Sequence, residues 1–389
     1  MRTWLFWLFV SVIAIGARSA LLGAEAAPGS YQGWKTLELS NGLVRVQVAP
    51  DIGGRVIQLT LGRFDYFWNN PQLLGKLPPP SGIQFSREIR LMDGGTHVHV
   101  DATMTNVDTR VRRWGIWSVA QHDAANRSGA GHNPNLRVWC PINPQSIFPR
   151  GYDIMFGLVG NWSYQPDYPR GLMCVHYQRR VGKVAMDSTA GWLATVNGTD
   201  GYVFVQRFRH CPGKKYPDNA SVEIWLHGTG QFITGRKLNE MKDDPAECPY
   251  FVESEVLSPF AELKPGEHYT FGYDWYAAAI GGNYPVLDCT ESGVLCEPFK
   301  ARQAEGQLLL SGRFGLFASG AVEAEFLDGS GSPLGRASIA CSADPLRPLI
   351  LTESQPRLAP PPGTVELRLV LRDAVGRDLG ELARTRVGG

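Results

Sequence analysis

The chain carries almost no charge imbalance. Its 389 residues hold 38 Lys and Arg against 37 Asp and Glu, a formal net charge of +1. The basic face with which nucleic-acid-binding proteins grip phosphate is therefore missing from the composition, and no nucleic-acid partner is expected. Beyond the N-terminus there is no apolar run near the ~20 residues a spanning helix needs, so no membrane span is expected once that segment is removed. Extended helical periodicity is also missing, which argues against a bundle or a helix-covered parallel sheet. There is no Gly-x-Ser-x-Gly elbow and no glycine loop ending in Gly-Lys-Ser/Thr, which excludes the commonest hydrolase and nucleotide signatures. The seven cysteines, Cys140, Cys174, Cys211, Cys248, Cys289, Cys296 and Cys341, show no zinc-ribbon or redox spacing. No metal and no cofactor is expected.

The N-terminus reads as an export signal. Arg2 precedes an apolar run from Trp4 to Ile15, and Ala24-Glu25-Ala26 is a small-x-small cleavage site, with Ala17-Arg18-Ser19 an earlier option. Residues 1–26 are thus a predicted signal peptide, with a membrane anchor as the alternative. The mature chain is expected outside the cytoplasm, periplasmic or extracellular. An oxidising compartment permits disulfides. Cys289 with Cys296 is the first expectation, Cys211 with Cys248 and Cys140 with Cys174 the next, and the odd count leaves at least one thiol over. Buried free thiols are the competing reading.

The sequence is rich in aromatics at 11%, including 11 Trp, and in turn formers, with 44 Gly and 27 Pro. Short alternating runs between turn residues predict an all-β sandwich. Thr36–Leu39 and Leu43–Val48 flank Ser40-Asn41-Gly42, a hairpin signal. Val98, Val100, Ala102 and Met104 alternate with His97, His99, Asp101 and Thr103, so one face is buried. His97, His99 and Asp101 read as a polar solvent face, and alternatively as a metal-holding set. Residues 235–245 predict a short helical turn. A boundary is expected near Glu297–Gln303, dividing a main domain, 33–296, from a small β-sandwich, 303–389, with strands near 306–311, 321–326, 337–341, 349–353, 365–371 and 379–386.

Several segments, in order and spacing, resemble galactose-mutarotase-like (aldose 1-epimerase-like) proteins. They are Asn41 to Val48, Asp51-Ile52-Gly53-Gly54-Arg55-Val56-Ile57, Phe67-Trp68-Asn69-Asn70-Pro71, Phe251 to Pro259, and Leu263-Lys264-Pro265-Gly266-Glu267. The resemblance covers roughly residues 33–280 and is nearest to a bacterial family of unknown function. It implies a super-sandwich with a sugar cleft on a concave sheet and a carbohydrate partner. The family's enzymes open the sugar ring with a glutamate base and a histidine acid. Glu255 matches the base position, and Glu253, two residues away, shares its strand face. The strand Trp114 to His122 should carry the acid, but alternation puts Trp117 and Gln121 on the site face and turns His122 away. The resemblance thus implies a site of Arg55, Asn69, Trp117, Gln121, Lys183, Glu253 and Glu255, with Tyr216, Asp218 and Glu223 as further candidates. Arg55 would reach a ligand or Glu255. A carbohydrate-binding protein is the first reading. An enzyme with Glu255 as base, and a structural envelope protein with a vestigial cleft, are the alternatives.

Overall fold

A computed structural model describes residues 23–52, 54–70, 81–354 and 356–388. Most of the expected signal segment, Gly53 of the Gly-Gly-Arg turn and Pro71 lie outside these. The described residues form β-strands and short 3-10 turns without an α-helix, and none of their helices is long and apolar enough to cross a membrane. The expected all-β class is what the strand pairings show.

The first hairpin illustrates how the chain is turned. Asn41 Oδ1 accepts the N–H groups of Leu43 and Val44 at 3.1 and 3.0 Å, and Gly42 sits at φ +82°. An asparagine that caps its own turn and a glycine free to adopt positive φ are what this reversal requires. The asparagine amide also donates to the carbonyls of Met92 and Gly95, which ties the hairpin to the next sheet.

Three sheets enclose the main core. Glu25–Tyr31, Trp34–Ser40, Val44–Ala49, Arg55–Leu61 and Phe64–Asp65 form a five-stranded meander. An eight-stranded sheet has at its centre Trp192–Asn197, Tyr202–Phe208, His268–Ala279 and Val98–Asn106, with Ile83–Leu91 at one edge. A second five-stranded sheet runs Asp153–Gly157, Gly182–Met186, Val222–His227, Phe251–Leu257, Trp117–Asp123. Val46 and Leu59, Val100 and Met104, Val184 and Ile224 meet in one cluster drawn from all three. The eight-stranded sheet is buried on both faces at its middle. Phe204 points into that cluster, whereas Val203 and Val205 join another with Val294, Cys296 and Phe317. This double burial is why Trp192–Asn197 shows no polar alternation.

The C-terminal strands form a nine-stranded sheet with its own cluster, from Phe299 to Leu382. Strands Gln307–Leu316, Gly320–Leu327, Pro333–Ala343, Leu349–Leu351, Glu366–Arg372 and Asp378–Gly388 overlay the expected ones. The strand Gly293–Ala304 spans the stretch where the boundary is expected, and its end pairs in parallel with Asp378–Gly388.

Two expectations are corrected. The helical turn at 235–245 is instead a hairpin, Gly230–Thr234 with Lys237–Met241, reversed where Gly235 adopts φ +61°. The six described cysteines, Cys140, Cys174, Cys211, Cys248, Cys289 and Cys296, are free thiols. Register explains one failed pairing. Cys140 lies opposite Met173 and Cys174 opposite Trp139, so the two side chains project to opposite faces.

Candidate functional site

Trp117–Asp123 is the edge strand of its sheet and pairs there with Phe251–Leu257. Its other side is met by an irregular segment: Phe67 bridges to His122, and the Trp68 N–H donates to the Gln121 carbonyl at 2.8 Å. A pocket of about 510 Å³ opens around this edge. Residues from both faces of the strand line it, Trp117, Val119 and Gln121 with Ser118 and Ala120, joined by Glu253 from the neighbouring strand. Arg55, Phe67, Trp68, Asn69 and Arg87 contribute from other strands and loops, and Tyr273 and Trp275 from the eight-stranded sheet.

Five of the seven residues expected at the site line this pocket. Arg55 opens its strand directly after Gly54, which sits at φ +64°. Its guanidinium is exposed and makes no ion pair or hydrogen bond among the described residues, so it does not reach Glu255. The Asn69 amide donates to the Ile57 carbonyl at 2.9 Å, which fixes the loop after Trp68. Trp68 stacks on Phe251 with centroids 4.4 Å apart and planes at 7°, and Phe251 stacks in turn on His227. Gln121 and Glu253 are cross-strand partners, and the Gln121 amide donates to Glu253 Oε1 at 2.6 Å. Trp117 keeps 53% of its surface exposed.

Glu255 and Lys183 lie beneath the pocket, not in its wall. Alternation places Lys183, Glu223, Glu253 and Glu255 on one face of adjacent strands, and the register sets Glu255 against Glu223. The Lys183 ammonium lies 2.6 Å from Glu223 Oε2 and 2.8 Å from Glu255 Oε2. All three are buried, Glu255 completely. Trp117 forms the lid: its Nε1–H donates to Glu255 Oε2 at 2.8 Å, and the Lys183 ammonium sits 4.4 Å from its ring centroid.

One ammonium between two buried carboxylates leaves a negative charge uncompensated, and burying such a charge is costly. Burial accordingly pushes the Glu255 carboxyl well above the usual range; Lys183 pulls it down, and the nearby Glu253 and Glu223 charges push it up again. Burial also works against the Lys183 charge, but Glu255 and Glu223 outweigh it and hold the ammonium above its ordinary value. Burial thus works against the charge on Glu255, while the two carboxylates hold the lysine charged. Glu255 Oε1 and Glu223 Oε1 have no hydrogen-bond partner among the described residues.

His122 points into the core, as alternation predicted. Its Nε2 lies 2.8 Å from Ser254 Oγ and 3.2 Å from Thr195 Oγ1, between the Phe67 and Phe204 rings. Burial pushes its pKa down to about 3, so the ring is neutral. Tyr216 and Asp218 stay outside the pocket lining. Trp34, Arg87, Tyr273 and Trp275 do line it, although nothing in their local sequence marks them. Tyr273 and Trp275 read simply as the buried alternates of a closing strand.

Solved structures similar to part of the chain include a TPR-domain containing protein from Parabacteroides distasonis, at 14% identity and TM-score 0.43. That match covers 65% of this chain and 48% of the other, so it spans about half of that protein's length. A galactose mutarotase related enzyme from Lactobacillus acidophilus matches at 9% identity and TM-score 0.38, covering 62% and 96% of the two chains. A galactose mutarotase-like protein from Lactobacillus casei matches at 10% and 0.38, covering 62% and 99%. At these scores the architecture rests on the strand pairings themselves. No curated protein matches the sequence. Residues 69–277, more than half of the chain, match the family described as a domain of unknown function, DUF4380, and the chain belongs to that family.

Proposed function

We propose that the pocket around the Trp117–Asp123 edge binds carbohydrate. The observation that carries this reading is the state of Trp117, which is more than half exposed at the pocket while its indole N–H is tied to Glu255. A pinned ring presents an apolar plate without losing rotamer freedom on binding. A pyranose offers such a plate its C–H face, and its hydroxyls need donors and acceptors at the rim. Glu253 and Gln121 supply these on the same wall, and Arg55 has a free guanidinium at the mouth. A pocket of about 510 Å³ lies within the range of small-molecule sites. The sugar-handling family that the sequence resembles supports the same ligand class.

If the pocket also does acid–base chemistry, Glu253 is the lining carboxylate placed to do it. Glu255 is covered by Trp117, and His122 faces the core. Binding without turnover is therefore the first reading. Export belongs to the same proposal, on the strength of Arg2 and the apolar run behind it. Cleavage after Ser19 would leave the strand Glu25–Tyr31 whole, whereas cleavage after Ala26 would remove its first two ladder positions.

The test is a glycan array with the secreted protein, followed by calorimetry and polarimetry on any hit. Trp117→Ala should weaken binding by roughly 1–3 kcal/mol, about 5- to 150-fold. An array without hits, or a folded Trp117→Ala chain of unchanged affinity, would overturn the assignment. Anomer interconversion that is lost in Glu253→Gln would establish the enzymatic reading instead.

A further inference from the structure

A second constellation lies on the face of the eight-stranded sheet opposite the main core. Val98 and Val100 point into that core, so His97, His99 and Asp101 project the other way. The neighbouring strand sets Asp274 directly opposite His99. His97 Nε2 lies 2.6 Å from Asp274 Oδ1, and His99 Nδ1 lies 2.7 Å from the same oxygen. The three atoms all fall within 4.8 Å of one another. Two imidazoles converging on one carboxylate oxygen is the arrangement of a ligand set closed up on itself. Around zinc, bonds of about 2.0–2.2 Å would hold neighbouring donor atoms roughly 3.3 Å apart. Opening the two histidine–carboxylate separations from 2.6 and 2.7 Å to that spacing needs shifts of about 0.6–0.7 Å each.

The surroundings supply the second observation. The other ring nitrogen of His99, Nε2, lies 3.2 Å from Asp101 Oδ1, and Asp101 is itself paired with Arg90. A carboxylate behind a histidine fixes its tautomer and orientation and raises its basicity as a metal ligand. Gly272 makes room for this pair. It lies opposite Asp101, and a Cβ there would stand 3.1 Å from Asp101 Oδ1 and 3.6 Å from His99 Cε1. The His97 ring is held from behind by Tyr276, stacked at 4.6 Å and 17°. Arg207, opposite Asp274 on its other side, is drawn to Glu291 at 3.5 Å. The side chains of His97, His99 and Asp274 keep 27–31% exposure, which leaves the outer side open to water.

We propose that His97 Nε2, His99 Nδ1 and Asp274 Oδ1 bind a divalent transition-metal ion, with water completing the coordination. This replaces both the expectation of no metal and the reading of these residues as a bare polar face. Asp101, which the sequence places beside the histidines, acts from behind His99 as a positioning residue while Asp274 from another strand completes the set. Two histidines, one carboxylate and an open position match the ligand types and count of zinc sites that keep an exchangeable water. The inference is independent of what the pocket at Trp117 binds.

The experiment uses tag-free, chelator-treated, full-length mature protein titrated with Zn²⁺ by calorimetry. One equivalent per chain is expected, absent from His99→Ala and Asp274→Asn. Asp101→Asn should weaken it about 10- to 100-fold, and His268→Ala, at an exposed histidine elsewhere, should retain it. Circular dichroism and the melting midpoint establish that each variant is folded. Should the ligand variants unfold, the wild-type Co²⁺ spectrum decides. Nitrogen–oxygen ligation gives d–d bands without a thiolate charge-transfer band. A wild type that takes up no stoichiometric Zn²⁺, a folded His99→Ala that still binds one equivalent, or a thiolate band would each overturn the proposal.

Discussion

Replacing Lys183 by methionine tests the electrostatics beneath the pocket most directly. The ammonium is the cation within hydrogen-bond reach of both Glu223 and Glu255, at 2.6 and 2.8 Å, and all three side chains are almost fully buried. Methionine keeps much of the stem volume and removes the charge. Two carboxylates then face each other without a counter-ion, and breaking a buried ion pair from one side costs about 3–5 kcal/mol. The loss should depend on pH. Glu255 has a folded pKa above its ordinary 4.5, so the folded state binds its proton more tightly than the unfolded state does. The stability linked to that proton is fully present below the unfolded value and is lost as pH rises through the folded one. Removing Lys183 takes away the group that pulls Glu255 down, which raises the folded value further. The deficit of Lys183→Met relative to wild type should therefore grow as pH rises past the wild-type folded value and be smaller below it. Adding Glu223→Gln and Glu255→Gln should recover most of it. Urea unfolding followed by tryptophan fluorescence across a pH series measures this. A deficit below about 1 kcal/mol throughout the series, or one that shrinks as pH rises, would refute the argument, since the expected cost is several times larger.

Two further outcomes follow from buried groups. His122 has a folded pKa near 3 against an ordinary 6.5, so its contribution is present above the ordinary value and is lost as pH falls towards the folded one; His122→Gln should flatten that part of the acid-unfolding profile, and an unchanged profile would contradict it. The described cysteines are free, with Cys211 alone among them part-exposed, so thiol titration should find little reactivity in the native protein and at least six thiols after unfolding without reductant; five or fewer would mean that a disulfide is present.

Much of the strand pattern could be read from the sequence because alternation and turn chemistry act locally. Asn41 and Gly42 reverse the chain through their own side-chain and backbone properties, and Val98 to Met104 need only a buried face. The same local rule turned His122 inward and Trp117 and Gln121 outward. It failed where a second layer covers a strand. Trp192–Asn197 is buried throughout, and no period distinguishes its two faces. The hairpin at Lys237–Met241 was missed because Gly235 is a reversal signal as well as a helix stop. Among pocket residues, the resemblance together with strand parity pointed to Glu253 and Gln121. Trp34, Arg87 and Trp275 are brought in by sheet stacking, which leaves no mark in neighbouring sequence. Parity also put Glu255 on the right face without showing that Trp117 covers it.

That cover bears on the proposed reading of Glu255. Glu255 Oε2 accepts from both the Trp117 indole and the Lys183 ammonium, so its oxygen is engaged before any ligand arrives. A base must reach the proton it abstracts directly or through one water, and Trp117 lies across that approach. Orienting an exposed aromatic ring, by contrast, needs what is present: a fixed acceptor below the indole N–H and a cation beside the ring. The cluster holds its own parts in place as well. Lys183 keeps two carboxylates in the interior, and one of them fixes the tryptophan that faces the pocket. In the proposed reading, the buried charges support the sugar-binding surface from underneath, and Glu253 and Gln121, paired two ladder positions from Glu255, line the pocket beside it.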